Sequence, residues 1–285
     1  MTPRSWLYVP GDRPDRIGKA LASDADAVVL DLEDAVAPAA KPDARRNVLD
    51  ALAAAKDAGK DTGRTPAYVR INPPATAEGA DDIALLATAP AAPAGVRVPK
   101  CEDPGELRRV ADTLGVPVFP ILESALGVEN ALLLATAHPL VAGISLGEAD
   151  LAADLRAGGE ALAWPRSRVV VAARAAGLPS PPQSVWTAVR DLDGLRADTV
   201  AGRRAGFFGR SVIHPAQIPV VHEASVPDPD DVAWARDLMS RLAERGDAAW
   251  IDSSGRFVDK AVVERAAWLL EAAESAARPV KEGHK

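Results

Sequence analysis

Short apolar runs alternate with helical segments along most of this chain, and this alternation constrains its fold more than any other feature. The runs that fit β-strands cover residues 5–9, 27–32, 67–71, 95–99, 116–122, 141–146 and 206–213, and a weaker run covers 182–186. Helical patterns between them cover residues 14–23, 42–58, 81–88, 104–114, 128–137 and 165–176. Strands that are joined through helices pair in parallel, and eight such units close naturally into a TIM (β/α)8 barrel. We therefore predict an α/β fold with this barrel as a catalytic domain over residues 1–222.

Two further helical patterns, at 230–244 and 259–277, lie beyond the last strand. A barrel does not need them, so residues 223–285 are predicted to form a C-terminal helical extension that acts as a lid or an oligomer contact. An open, doubly wound sheet is the alternative architecture. It is disfavoured because no G-x-G-x-x-G pattern follows the first strand.

Composition narrows the class of partner and the compartment. The formal net charge of −7 disfavours nucleic-acid binding, which needs a basic footprint. The single cysteine, Cys101, leaves no disulfide framework and no cysteine zinc site. The first residues lack the apolar core of a signal peptide, and no apolar stretch has the length that crosses a membrane. A cytoplasmic protein that acts on a small molecule, without nucleic acid or membrane, fits these observations best.

Charged side chains follow almost every predicted strand. They are Arg13 after the first strand, Asp31, Glu33 and Asp34 after the second, Arg70 in the third, Lys100 after the fourth, Glu123 after the fifth, and Glu148 and Asp150 after the sixth. The carboxyl ends of barrel strands surround the active site, so this pattern indicates an enzyme. Glu123 and Asp150 follow neighbouring strands, where two carboxylates can hold a hard cation through oxygen ligands. We therefore predict a Mg²⁺ site, with Mn²⁺ as a possible substitute.

Each of these residues also has a structural interpretation. Glu123 taken alone fits a solvated loop residue or a helix cap, and only the second acid favours a metal site. The acids of Asp31-Leu-Glu-Asp34 either cap the following segment or hydrogen-bond the waters of a metal. Arg70 lies within an apolar strand and needs a carboxylate partner, either from the protein or from a substrate. Lys100 either forms a Schiff base or pairs with an acid, and pairing is favoured because a metal site makes an imine redundant.

An ordered set of motifs resembles a known family. The motifs are Ser5-x-Leu-Tyr-Val-Pro-Gly11, Asp31-Leu-Glu-Asp-Ala-Val36 with Lys41 and Arg45, Val69-Arg-Ile-Asn72, Val98-Pro-Lys100, Gly147-x-x-Asp150 and Ile213-His-Pro-Ala-Gln-Ile218. Together they resemble the citrate lyase β-subunit-like (CitE-like) branch of the HpcH/HpaI aldolases, over about residues 5–275. The resemblance implies a TIM barrel, commonly in a trimer, that binds Mg²⁺ and acts as an acyl-CoA lyase.

The resemblance also implies roles for individual residues. Glu123 and Asp150 fall on the metal ligands of the family, and Arg70 falls on its substrate-carboxylate arginine. Asp259 matches a catalytic aspartate of malyl-CoA and citramalyl-CoA lyases that reaches the active site of the neighbouring subunit. Asp259 would then exchange a proton with the carbon of a thioester enolate.

Two further groups complete the predicted site. The backbone N–H groups of Gly147, Glu148 and Ala149 are candidates to bind the enolate oxygen, and Asp31, Glu33, Asp34 and Lys100 would surround the metal and substrate. Cations at Arg13, Arg16 and Lys19 are candidates to bind CoA phosphates; the CoA thioester is a substrate and not a prosthetic group.

Three other functions stay open at this point. The same residues could hydrolyse the thioester, the chain could be the citryl-thioester lyase subunit of a citrate lyase complex, or the barrel could be a non-catalytic interaction module. The Asp259 segment disfavours the complex subunit, and the charged strand ends disfavour the interaction module.

Overall fold

The computed structural model describes residues 2–57, 65–245, 249–251, 255 and 257–276. Within these ranges seven strands form one parallel sheet. The strands are β1 (Ser5–Pro10), β2 (Ala27–Asp31), β3 (Ala67–Arg70), β4 (Val96–Val98), β5 (Val118–Leu122), β6 (Ser145–Leu146) and β7 (Arg210–Val212). Their order in the sheet is β6-β5-β4-β3-β2-β1-β7, without the reversal of a doubly wound sheet. The fold is therefore α/β, with a curled parallel sheet.

Helices connect the strands and follow the last one. They are α1 (Pro14–Leu21), α2 (Lys41–Asp57), α3 (Ala77–Ala87), α4 (Pro104–Leu114), α5 (Ala125–Glu129), α6 (Ala131–Ala135), α7 (Glu148–Leu155), α8 (Ala163–Ala175), α9 (Leu192–Arg204), α10 (Gln217–Ala224), α11 (Pro229–Arg245) and α12 (Lys260–Ala276). The single helix predicted at 128–137 is wrong, because Asn130 separates α5 from α6 and turns its amide to the carbonyl of Glu102. None of the helices in the described ranges is long and apolar enough to cross a membrane.

The two faces of the sheet are packed differently. Leu7, Val9 and Leu30 belong to the large core between the strands and their helices. Trp6 and Val29, on the alternate positions, belong to a second cluster with the aromatic rings of the neighbouring strands. Because successive side chains of a strand point to opposite faces, the second cluster marks the concave face of the curled sheet.

The predicted strand at 182–186 is not a strand in the structure, so the sheet has seven strands and not eight. This segment joins β7 through one parallel bridge between Gln183 and Arg210. It meets the other edge of the sheet through a side chain, since the Ser184 hydroxyl donates to the carbonyl of Leu146 at 2.8 Å. Pro181 precedes this segment and Pro182 begins it, and prolines have no N–H for a sheet ladder. The segment therefore lies between β6 and β7 without completing a continuous sheet.

The C-terminal helices have a small apolar core of their own. Leu238 of α11 and Leu269 of α12 pack there with Trp250 and Val258. The last two residues belong to an antiparallel pair, β8 (Trp250–Ile251) and β9 (Phe257–Val258). The C-terminal end of α12 is tied to the first strand, because Arg4 donates to the carbonyl of Ala276 at 2.9 Å.

Candidate active site

Glu123 is a nearly buried carboxylate at the carboxyl end of β5. Only 6% of it is exposed, and its Oε2 accepts the backbone N–H of Lys100 at 2.8 Å. Burial, together with the negative charge of Glu33, raises the pKa of Glu123 to about 7. Its second oxygen, Oε1, accepts no hydrogen bond from the part of the chain that the structure describes. The carboxylate is therefore fixed on one side and available on the other.

Gly147 lies directly against this carboxylate. A Cβ on Gly147 would lie 2.8 Å from Glu123 Cδ, and closer still to Cγ and Oε1. The position thus requires glycine because the glutamate side chain occupies the space of a Cβ. The N–H of Gly147 donates to the carbonyl of Leu122 at 3.0 Å. The prediction that this N–H binds an enolate oxygen is therefore wrong, because the sheet already uses it.

Asp150 follows in the first turn of α7, and its side chain is exposed. Its negative charge contributes, after burial and Glu33, to the raised pKa of Glu123. Among the described residues the Asp150 carboxylate has no hydrogen bond or ion pair. The N–H groups of Glu148 and Ala149 open the same helix, where N–H groups have no partner within the helix and no side chain caps them.

Arg70, at the end of β3, is held by two acids of the loop after β2. Asp31 accepts from Nε at 2.7 Å and from Nη2 at 2.6 Å, and Glu33 Oε2 lies 2.7 Å from Nη1. These neighbours raise the pKa of Arg70 despite its burial. Its guanidinium also stacks 5.2 Å from the centre of the Tyr8 ring. The protein itself thus supplies the carboxylate partner that was expected for Arg70.

Lys100 connects two acids of the site. Its backbone φ of 49° is in the left-handed region, and this conformation accompanies the N–H bond to Glu123. Its ammonium donates to Glu33 Oε1 at 2.9 Å and lies 3.7 Å from the exposed Asp34. Glu33 raises the pKa of Lys100, and burial raises that of Glu33. The expected pairing of Lys100 with an acid is confirmed, and the lysine is held charged rather than poised for imine formation.

A buried polar network fixes the loop that carries these acids. Lys41 donates to the carbonyl oxygens of Leu32 and Glu33 at 2.8 and 3.2 Å. Asn72 donates to Leu32 as well, and it is held by the fully buried Asp82. Asp31 also accepts the N–H groups of Glu33 and Ala35, so it caps the turn while it binds Arg70.

The family model of the HpcH/HpaI aldolases and citrate lyases matches residues 4–215. The chain belongs to this family. The resemblance of its motifs is thereby confirmed, and the matched range contains Arg70, Glu123 and Asp150.

Named relatives of this family member span nearly its whole length. A (3S)-malyl-CoA thioesterase of Cereibacter sphaeroides is 35% identical and aligns over 96% of this chain and 95% of its own length. The mitochondrial citramalyl-CoA lyase of Homo sapiens is 29% identical over 85% of this chain and 76% of its own. A crystal structure of CitE from Mycobacterium tuberculosis, in complex with magnesium, acetoacetate and coenzyme A, has a TM-score of 0.81 and 32% identity, with 95% of this chain and 98% of that chain covered.

Other predicted site residues of this family member lie apart from the carboxylates. Arg13 pairs with Asp15 at 3.2 Å. Arg16 and Lys19 line a cavity of about 380 Å³ between α1, the end of β1 and residues 213–215. Asp259 caps α12, since its Oδ1 accepts the N–H of Val262 at 3.1 Å. Within the described ranges no hydrogen bond or ion pair links Asp259 to the site around Glu123.

Some residues that shape the site were not expected. Arg166 of α8 holds Glu148 through two hydrogen bonds of 2.8 and 2.6 Å, so the side chain of Glu148 is occupied. Tyr8 supports Arg70 from β1, and burial raises its pKa. The alternation of Trp6 and Tyr8 on one face of β1 was the available signal for Tyr8. Arg166 has no such signal, because its contact depends on how α8 packs.

Proposed function

We propose that this protein is a Mg²⁺-dependent acyl-CoA lyase. It would cleave or form a C–C bond in a β-hydroxyacyl-CoA such as malyl-CoA or citramalyl-CoA, with a 2-oxoacid and acetyl-CoA as the other side of the reaction. The observation that carries this proposal is the pair of available carboxylates, Glu123 and Asp150, beside the clamped Arg70 at the carboxyl end of the sheet. The named lyase relative and the CitE complex with magnesium and coenzyme A support it.

Glu123 and Asp150 are the residues that would hold the metal. Within the described ranges no group of three His, Cys, Asp or Glu side chains could hold a metal ion, so waters and substrate oxygens would complete the coordination. The fit rests on the available Oε1 of Glu123 and on its surroundings, because burial and the charge of Glu33 raise the pKa of Glu123. A bound cation would offset the negative charge of these carboxylates. When bound, Mg²⁺ supplies Lewis-acid stabilisation of negative charge on substrate oxygen.

The chain's own residues would orient and protonate the substrate. Arg70 would donate its remaining Nη1 and Nη2 hydrogens to the carboxylate of the 2-oxoacid half, because Asp31 and Glu33 hold its guanidinium in a constant position. The N–H groups of Glu148 and Ala149, at the positive end of α7, would bind the thioester enolate oxygen. Asp259 would transfer a proton to the enolate carbon in cleavage and remove it in condensation.

Arg16 and Lys19 would bind the CoA phosphates, with Arg13 as a third cation. Their support is the cavity of about 380 Å³ that Arg16 and Lys19 line together with Tyr8 and His214. This cavity opens beside the ends of β1 and β7, next to the carboxyl edge of the sheet where Arg70 lies.

The assembly is part of the same proposal. Residues 1–222 would form a (β/α)8 barrel in which residues 183–184 occupy the eighth position, and residues 223–285 would form the helical extension. A cytoplasmic homotrimer would bring Asp259 of one subunit to the carboxylates of another. Exposed apolar side chains support an interface on α5, α6 and α8, and they are Leu126, Leu133, Trp164 and Val171.

Thioester hydrolysis is the second candidate, favoured by the malyl-CoA thioesterase relative. A panel of β-hydroxyacyl-CoA substrates, followed by mass spectrometry with and without Mg²⁺, separates the two reactions. A lyase gives acetyl-CoA with glyoxylate or pyruvate, whereas a hydrolase gives free CoA with the intact hydroxyacid. Glu123→Gln serves as the control, because it lacks one of the two proposed metal ligands. Failure of every substrate in the presence of Mg²⁺ would exclude both activities.

A further inference from the structure

Arg97 is a buried cation on the concave face of the sheet, and it is not among the residues of the candidate active site. It lies in β4, where its register neighbours are Arg70 on β3 and Phe119 on β5. Only 2% of the residue is exposed. Its guanidinium stacks 5.0 Å from the centre of the Trp6 ring, and its Nη2 donates to the Ser145 hydroxyl at 2.6 Å.

Two nitrogens of this guanidinium have no acceptor. Both Nε and Nη1 are buried without a hydrogen-bond partner, and so is Nε1 of Trp6 beside them. No carboxylate within the described residues forms an ion pair with Arg97, whereas Arg70 has Asp31 and Glu33. A guanidinium stays protonated in proteins, and a buried charge without a counter-charge is strongly unfavourable. The unpaired groups are all donors, so the missing partner is an acceptor and an anion.

A cavity of about 300 Å³ lies beside Arg97 and Trp6. Trp6, Arg97 and Ser145 contribute to its lining, and the remaining wall is largely apolar, with Phe119 and Ile144 among its residues. Pro117 and Ala142 lie at its rim, just before β5 and β6 begin, which places it at the amino ends of the strands. Glu123 and Asp150 follow the carboxyl ends of β5 and β6, so this cavity is separate from the candidate active site.

We propose that this cavity binds a short-chain monocarboxylate. The carboxylate would accept from Arg97 and from Trp6 Nε1, and its hydrocarbon tail would pack against Phe119 and Ile144. A pocket with apolar walls and a few convergent donors suits such an amphipathic anion better than a fully hydrated halide. The site does not depend on the lyase activity and would be present whatever reaction the carboxyl end of the sheet performs.

Thermal unfolding with sodium butyrate as the probe tests this site. The protein is measured with EDTA present, against sodium chloride of equal ionic strength. A ligand that binds only the folded state at a hundredfold excess over its dissociation constant should raise the midpoint by about 5 °C for a chain of this size. Isothermal titration should give one butyrate per chain. An effect of butyrate no larger than that of chloride overturns the proposal.

Variants distinguish this cavity from the active site. Arg97→Met removes the charge at similar length and should abolish the response to butyrate. Ala142→Leu narrows the cavity and leaves the Arg97 side chain in place, so it should weaken the response, and it decides the question if Arg97→Met does not fold. Glu123→Gln alters the candidate active site and should leave the butyrate response unchanged. A response that is undiminished in Ala142→Leu, or disappears in Glu123→Gln, contradicts the assignment.

Discussion

Substitution of Gly147 by alanine should disable the metal site while the fold persists. The new Cβ would lie 2.8 Å from Glu123 Cδ, whereas ordinary contact begins near 3.4 Å, so the carboxylate must move. The backbone of Gly147, with φ −104° and ψ 85°, is accessible to alanine, so strain does not arise from the main chain. Because Glu123 is anchored by the N–H of Lys100, the displacement breaks that hydrogen bond or removes Oε1 from its position.

The magnitude of the effect follows from this displacement. Moving a catalytic group by roughly 1 Å costs about 100-fold in rate, so kcat/KM should fall by about two orders of magnitude. Stability should fall by about 1–3 kcal/mol, which is the usual cost of an extra carbon in a well-packed site and leaves the fold intact.

The assay combines Mg²⁺ titration calorimetry, turnover of the best acyl-CoA substrate and urea unfolding on the same preparation. Gly158→Ala is the matched control, because a Cβ on Gly158 meets nothing within 4 Å. It should retain the activity and Mg²⁺ affinity of the parent protein. Full activity and unchanged Mg²⁺ affinity in Gly147→Ala would refute the argument that Glu123 requires a glycine beside it.

Three further predictions concern the charges of the site. Without metal at pH 8, Glu123→Gln should raise the unfolding free energy by up to about 3 kcal/mol. The pKa of Glu123 is about 7 in the folded protein, so ionisation of this carboxyl destabilises the fold as the pH rises from about 4.5 to 7. Equal stability of both proteins in urea at pH 8 would contradict this. Arg70→Met should lower the unfolding free energy by about 3–5 kcal/mol, since it leaves Asp31 buried without a cation and leaves Glu33 with Lys100 alone. Urea unfolding beside the conservative Arg70→Lys measures the loss. Asp259→Asn should lower kcat by about 10²–10⁴-fold with unchanged stability, because asparagine caps α12 equally well; mixing it with Glu123→Gln should restore part of the activity only if subunits share a site.

The strand and charge patterns of the sequence predict most of the sheet. The runs that became β1 to β5 are rich in aliphatic and aromatic residues, and their pattern persists in the structure. The segment at 182–186 is different, because it begins with Pro182, which has no N–H to donate, and only Gln183 forms a bridge to a neighbouring strand. The helices α7, α9 and α10 were not predicted, and each of them packs against neighbouring helices in the structure.

The same contrast holds for the candidate site. Residues at strand ends meet because parallel register aligns those ends, so the neighbourhood of Arg70, Asp31 and Glu123 follows from the sequence alone. The pairing of Glu148 with Arg166 could not be predicted, because it depends on contact with α8. The hydrogen bond from the Gly147 N–H could not be predicted either, because it depends on contact with β5. Arg97 shows an intermediate case. The alternation of side chains in Val96–Val98 predicts that Arg97 points to the opposite face from its two valine neighbours. Only the register of the sheet shows that its neighbours on the adjacent strands are Arg70 and Phe119, neither of which is an acid.

The discontinuity between β6 and β7 has a consequence for how the two carboxylates move. Glu123 follows β5, which has five residues and pairs with a strand on each side. Asp150 follows β6, which has two residues and contacts the segment at 182–186 through the hydroxyl of Ser184. Local opening in proteins begins where backbone hydrogen bonds are fewest, so amide hydrogens around β6 and residues 183–184 should exchange with solvent before those of β5. Glu123 therefore follows the more stable strand, whereas Asp150, its proposed partner as a metal ligand, follows backbone that is expected to open more often.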